Sequence, residues 1–134
     1  MADLKAVMQS FYDGFNARDA EALDALMADD FVEHEEFPGA PNDNTAPRFF
    51  LSLMTGAFPD FAFHVDDMLQ DADKVASRGR MTGTHQGEFM GMPATGKSFE
   101  ISFYDIVEFR DGKAVAHWGL NDVAGMMEQL GAGG

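Results

Sequence analysis

Residues 98–121, SFEISFYDIVEFRDGKAVAHWGLN, decide the fold. Phe99, Ile101, Phe103, Val107 and Phe109 alternate with Glu100, Ser102, Glu108 and Arg110, the period-2 pattern of a strand with one buried face. Asp111-Gly112 is a two-residue hairpin signal, and residues 113–121 return as a partner strand. Upstream, Phe61, Phe63, Val65 and Leu69 alternate in the same way, and residues 73–86 form another extended run. Residues 87–97, GEFMGMPATGK, are a glycine-rich connection.

Before residue 60 the period is that of a helix. Leu4, Val7, Met8, Phe11, Tyr12 and Phe15 share one face, with Asp3 as N-cap. Asp19 opens a second short helix that carries Ala22, Leu23, Leu26 and Met27 and stops at Asp29-Asp30. Residues 31–37 read as extended and 38–44 as a loop. Thr45 is the expected cap of a third helix, with Pro47 in its first turn and Phe49, Phe50, Leu53, Met54 and Ala57 as its stripe. Asp122 caps a short last helix bearing Val123, Met126, Met127 and Leu130, and residues 131–134 read as a frayed tail. The expectation is an α+β domain: a cone-shaped barrel in which three N-terminal helices pack on a curved antiparallel sheet of four strands.

The 134 residues are expected to form a single domain, 1–134. At 46% hydrophobic the chain is too apolar for intrinsic disorder, yet no apolar run reaches the roughly 18–20 residues of a membrane span. The N-terminal MADLKAVMQS has no continuous apolar core and does not read as a signal peptide. The absence of cysteine removes disulfides, thiolate metal sites and cysteine nucleophiles, and fits a cytoplasmic setting. Nine basic against 23 acidic residues give a net charge of −14, which argues against nucleic acid and anionic membranes as partners. No histidine spacing suggests a metal, and no glycine loop suggests a phosphate-bearing cofactor. Neither is expected.

Asp105 is the most informative residue, because it interrupts a buried apolar row. A carboxyl in that setting without a cation rises in pKa and can donate a hydrogen bond, although a structural bond to backbone would also explain it. His117 shares strand parity with Val115, Gly119 and Asn121, opposite Trp118 and Leu120. It is a candidate general base or hydrogen-bond donor. In Glu33-His34-Glu35-Glu36, alternation puts His34 and Glu36 on one side and Glu33 and Glu35 on the other, and a solvated acidic rim is one reading. Asp122 is foremost a cap and secondarily a catalytic carboxylate. Tyr12, His85, Asn121, Phe103 and Met81 are candidates for contact with a substrate. Methionines, Met54, Met68, Met81, Met90, Met92, Met126 and Met127 among them, are scattered through the elements that would wall a cavity, and suit varied apolar ligands or a tolerant core.

The element order, with GTHQGEFMGMPATGKSF at 83–99, FRDGKAVAHW at 109–118 and MMEQLG at 126–131, resembles the SnoaL-like polyketide cyclase family. That family belongs to the nuclear-transport-factor-2-like superfamily, with ketosteroid isomerase among its relatives. The resemblance implies a pocketed cone and ring closure by aldol chemistry without cofactor or metal. It also implies an acid/base Asp directly after the His-Trp dipeptide, where this chain has Gly119, and a His where it has Asp105. A base near residues 33–36 is implied as well, and by that resemblance alone His34 is a candidate base. Three readings follow: a cofactor-free lyase, isomerase or cyclase acting on a small hydrophobic carbonyl compound; a non-catalytic small-molecule binder on the same scaffold; and an interaction module. A homodimer through the outer sheet face is expected, since Tyr104, Ile106, Trp118 and Leu120 would otherwise stand in water.

Overall fold

In the computed structural model, which describes residues 3–37 and 39–131, the elements run α1 (Leu4–Asn16), α2 (Ala20–Ala25), β1 (Met27–Glu33), α3 (Ala46–Ala57), β2 (Ala62–Asp71), β3 (Lys74–Thr84), β4 (Ser98–Arg110), β5 (Lys113–Asn121) and α4 (Val123–Gln129). Residues 132–134, most of the expected frayed tail, and Pro38 of the loop lie outside the described residues. The sheet order is β1-β5-β4-β3-β2, and β2 through β5 are antiparallel neighbours; tight hairpins join β2 to β3 and β4 to β5, and the longer connection over residues 85–97 joins β3 to β4. The α+β class and the helix-covered sheet are as the sequence implies.

The helix starts follow from their caps. Asp3, Asp19 and Asp122 each accept a hydrogen bond from a backbone N–H three residues on, as a residue at that position does. Thr45 does not. Its backbone is already helical, it makes no side-chain cap bond, and its hydroxyl donates to Asp43 instead. At the β4–β5 hairpin Asp111 and Gly112 both take positive φ, 53° and 77°, which the two-residue turn requires and glycine allows.

The sequence reading fails at α2. The helix ends at Ala25, and Met27 opens a fifth strand, β1, rather than closing a helical face. That strand pairs parallel with β5, through Met27↔Ala114, Val32↔Ala116 and Glu33↔His117. Backbone bonds from Ala114 N to Leu26 O and from His34 N to His117 O carry the pairing to both ends of β1. A parallel pairing of strands far apart in sequence overrides the local helical period. A second irregularity lies between Glu108 and Phe109, whose partners are Ala116 and Ala114. Val115 is the extra residue of this bulge, so Ala114 takes the inner position expected for Val115.

One face of the sheet is covered by α1. Met8, Phe11, Tyr12 and Phe15 are buried there against strand residues such as Phe63, Phe103 and Phe109. Asn16 fastens the end of the helix to the edge strand, accepting from Phe63 N and donating to Phe63 O. Among the described residues no helix is long and apolar enough to cross a membrane.

Candidate active site

Between α1, α3 and the inner face of the β1–β5–β4 end of the sheet lies an open-mouthed cavity of about 870 Å³, mouth included. Its walls are aromatic: Phe11, Tyr12 and Phe15 from α1, Phe31 from β1, Phe49 and Phe50 from α3, and Phe63 from β2. The methionines that line it are Met8 and Met27, on the first helix and the unforeseen strand. Four lining side chains are ionisable besides Tyr12: Glu33, Glu35, Asp105 and His117. No lysine or arginine joins them among the described residues.

Register assembles the polar wall. Glu33 stands beside His117 in the β1–β5 pair, and Asp105 faces Gly119 in the β5–β4 pair, one diagonal step from His117. His117 donates from Nδ1 to Glu33 Oε2 at 2.5 Å and from Nε2 to Asp105 Oδ1 at 2.8 Å. The three side chains keep only 14%, 19% and 13% of their surface, for Glu33, His117 and Asp105. Tyr12 reaches down from α1 and donates to Asp105 Oδ2 at 2.8 Å, while the Ser77 hydroxyl on β3 donates to the phenol. One hydrogen-bonded row thus runs Glu33–His117–Asp105–Tyr12–Ser77 across four strands and a helix.

Electrostatics fixes the charge of that row. Burial opposes the charged imidazole, but hydrogen bonds and charges from Asp105 and Glu33 outweigh it and hold His117 up at about 10. His117 is therefore an imidazolium at neutral pH, with both ring protons committed. Burial and the Asp105 charge drive the Tyr12 phenol far above its ordinary range, so it is a donor and not a phenolate. Glu35 behaves oppositely to an ordinary carboxylate. Burial raises it, His117 pulls it down, Asp105 and Glu33 push it up, and it comes to about 7. Asn121 Nδ2 donates to Glu35 Oε2 at 2.9 Å.

The structure therefore brings together Asp105, His117, Tyr12 and Asn121, and adds Glu33 and Glu35. Asp105 has a cation beside it, contrary to the premise that it stands alone in its apolar row. His34 is on the other side of the sheet. It is exposed, and its ring stacks on Trp118 at 4.8 Å and 3°. The signal for the swap was parity with Phe31: that large apolar residue faces inward and takes Glu33 and Glu35 with it. Asp122 is exposed and occupied with the α4 cap. His85 is buried beneath the 87–97 connection, tilted against Phe58, with Nδ1 accepting from Thr95 N. Phe103 is packed under Tyr12 and Phe63, and Met81 is buried in the core. None of these five lines the cavity.

A model of the SnoaL-like polyketide cyclase family matches residues 5–130. The chain belongs to that family. Aklanonic acid methyl ester cyclase DnrD of Streptomyces peucetius is 31% identical over 126 residues, covering 85% of this chain and 86% of its own. Among solved structures, IdmH of Streptomyces antibioticus, a candidate polyketide cyclase, superposes with TM-score 0.85 at 35% identity, over 97% of this chain and 99% of its own. AclR of Streptomyces galilaeus, a candidate hydroxylase, gives 0.87 at 29% identity, over 98% and 87%. Relatives named for two different reactions share this SnoaL-like scaffold, so the reaction must be argued from the polar wall.

The same wall could be asked to hold a metal. Ligand atoms of Glu35, Asp105 and His117 lie within 4.8 Å of one another. The donor set fits poorly, because both ring nitrogens of His117 already bond carboxylate oxygens, one of them on Asp105 itself.

Proposed function

We propose that this SnoaL-like protein performs cofactor-free acid–base chemistry on a small, uncharged, hydrophobic carbonyl compound, of the kind that forms an enolate on the way to ring closure or isomerisation. The observation that carries the reading is the imidazolium of His117 clamped between two carboxylates in the wall of an aromatic cavity. The aromatic walls of the cavity suit flat apolar surfaces, and its open mouth admits a ring system. A carbonyl oxygen that draws the Tyr12 O–H away from Asp105 would meet a phenol that stays protonated, with the His117 cation nearby, as charge develops on oxygen. His117 is then an electrostatic support rather than the general base. The surplus of carboxyl groups disfavours anionic substrates.

A second reading, a non-catalytic binding protein, is favoured by Gly119 at the place where the family resemblance implies an acid. One experiment separates the two. Wild-type protein with 2-tetralone or 1-indanone in D₂O should accelerate exchange of the protons α to the carbonyl, followed by NMR, with and without EDTA. Asp105→Asn should lower that rate about 10²-fold or more. Thermal stabilisation by these ketones with no acceleration would sink the catalytic reading in favour of the binding one.

The chain is further inferred to act as a cytoplasmic homodimer through the outer face of β4 and β5. There Tyr104, Ile106, Trp118 and Leu120 stand 54%, 43%, 39% and 69% exposed in adjacent pairs.

A further inference from the structure

Glu35 is the one acidic side chain of the cavity that the hydrogen-bonded row does not use. It follows β1 and stands over Gly119 of β5. A Cβ built on Gly119 would meet Glu35 Oε1 at 2.0 Å, with His117 Cε1 at 2.8 Å and Asp105 Oδ1 at 2.9 Å. A side chain at this position would displace the Glu35 carboxyl. Gly119 is not among the glycines with positive φ, so what glycine provides here is the space that the carboxyl fills and not a special backbone angle. Asn121, two residues along the same face, grips Oε2 at 2.9 Å. Oε1 accepts no hydrogen bond from the described residues. The carboxyl is thus seated, oriented by one oxygen, and left with the other oxygen free at the cavity wall.

We propose that Glu35 is the group that takes the proton from the substrate, and that Gly119 is its seat. The inference rests on the acid–base reading of the preceding subsection. The C–H bond α to the carbonyl breaks, and its electron pair moves into the C–C bond as the carbonyl becomes an enolate. The proton forms an O–H bond on Glu35, which returns it, or a solvent deuteron, to carbon. The other titratable groups facing this carboxyl are His117 from β5, Asp105 from β4 and Glu33 from β1, with Tyr12 reaching in from α1. All but Glu35 are tied into the row, which leaves Glu35 as the cavity acid able to change protonation during turnover. Its position near neutrality, about 7, suits that task.

The test uses full-length protein with 2-tetralone in D₂O, following α-proton exchange by NMR. Glu35→Gln keeps size and shape, and should lower kcat about 10²-fold or more with KM changed by less than about threefold. Gly119→Ala should lose rate in the same direction, because the methyl group evicts the carboxyl while Glu35 remains. Formate should restore part of the rate to Glu35→Ala, a rescue that a structural role would not give. The wild-type rate should rise with pH and level off above about 7. A Glu35→Gln rate equal to wild type, or a loss confined to KM, overturns the assignment while the acid–base reading stands. No acceleration of exchange by wild-type protein, with 2-tetralone or 1-indanone, removes that reading and this one with it.

Discussion

The two faces of the β4–β5 ribbon are built from the same strands and answer to different physics. Inward, Asp105, His117, Gly119 and Asn121 meet groups from other parts of the chain: Glu33 and Glu35 from β1 and its continuation, and Tyr12 from α1. Outward, Tyr104 pairs with Leu120 and Ile106 with Trp118, and all four are exposed, with the His34 ring stacked on Trp118. On the inner face burial makes every charge consequential, so protonation states are set by neighbours. On the outer face solvent screens what charge there is, and apolar area dominates. The difference explains why His117 on β5 is an imidazolium in a carboxylate clamp while His34, just past the end of β1, lies flat on a tryptophan.

The harshest way to break the contrast is to remove the inner cation. His117→Gln leaves Glu33 and Asp105 buried without a counter-charge, and should cost about 3–5 kcal/mol in chemical denaturation at pH 7. A cost near that of an exposed ion pair, below about 1 kcal/mol, would show that the clamp is solvated after all.

Next in size is the response to pH. His117 is raised from 6.5 to about 10, so its stabilisation is complete below pH 6.5 and lost as pH climbs to 10. Glu35 is raised from 4.5 to about 7, so the native state binds the extra proton between those values and stability falls across that window too. Denaturation curves should therefore weaken steadily from pH 5 to pH 10. Glu35→Gln should flatten the lower part and be the more stable protein at pH 8, by about 2–3 kcal/mol. Equal slopes in both proteins between pH 5 and 7 would show that Glu35 is not the buried acid.

Smaller still is Asp122→Ala. It removes the α4 cap outside the cavity and should cost about 1 kcal/mol with ketone binding unchanged. A matching loss of ligand affinity would bring Asp122 back into the site. Least consequential for the fold itself is Leu120→Glu on the outer face, expected within about 0.5 kcal/mol. Its effect should be on assembly: sedimentation of wild type at micromolar concentration should give twice the chain mass, and the variant one chain mass. Equal masses would leave the outer face without a partner copy.

Much of this was legible from the chain alone. The strand alternation at 98–110, the Asp111-Gly112 turn, the three aspartate caps and the apolar stripe of α1 are local patterns, and local patterns survive into the fold because each depends on neighbours a few residues away. The same parity argument placed Asp105, His117 and Asn121 on one face. It failed at Val115, where a bulge resets the alternation, and at Met27, where pairing with β5 turns the end of a helical pattern into a strand.

Tertiary structure alone decided which polar groups meet. Glu33 reaches His117 across 84 positions of sequence, and Tyr12 reaches Asp105 across 93. Nothing in the sequence near Asp105 announces a cation, and nothing near Gly119 announces a carboxyl resting on it. Protonation at these groups is set by which charges burial brings within a few ångströms. The sequence by itself determined which strand residues of β4 and β5 face inward; only the folded chain decided that His117 sits between two carboxylates, that Glu35 lines the cavity, and that His34 stacks on Trp118 outside it.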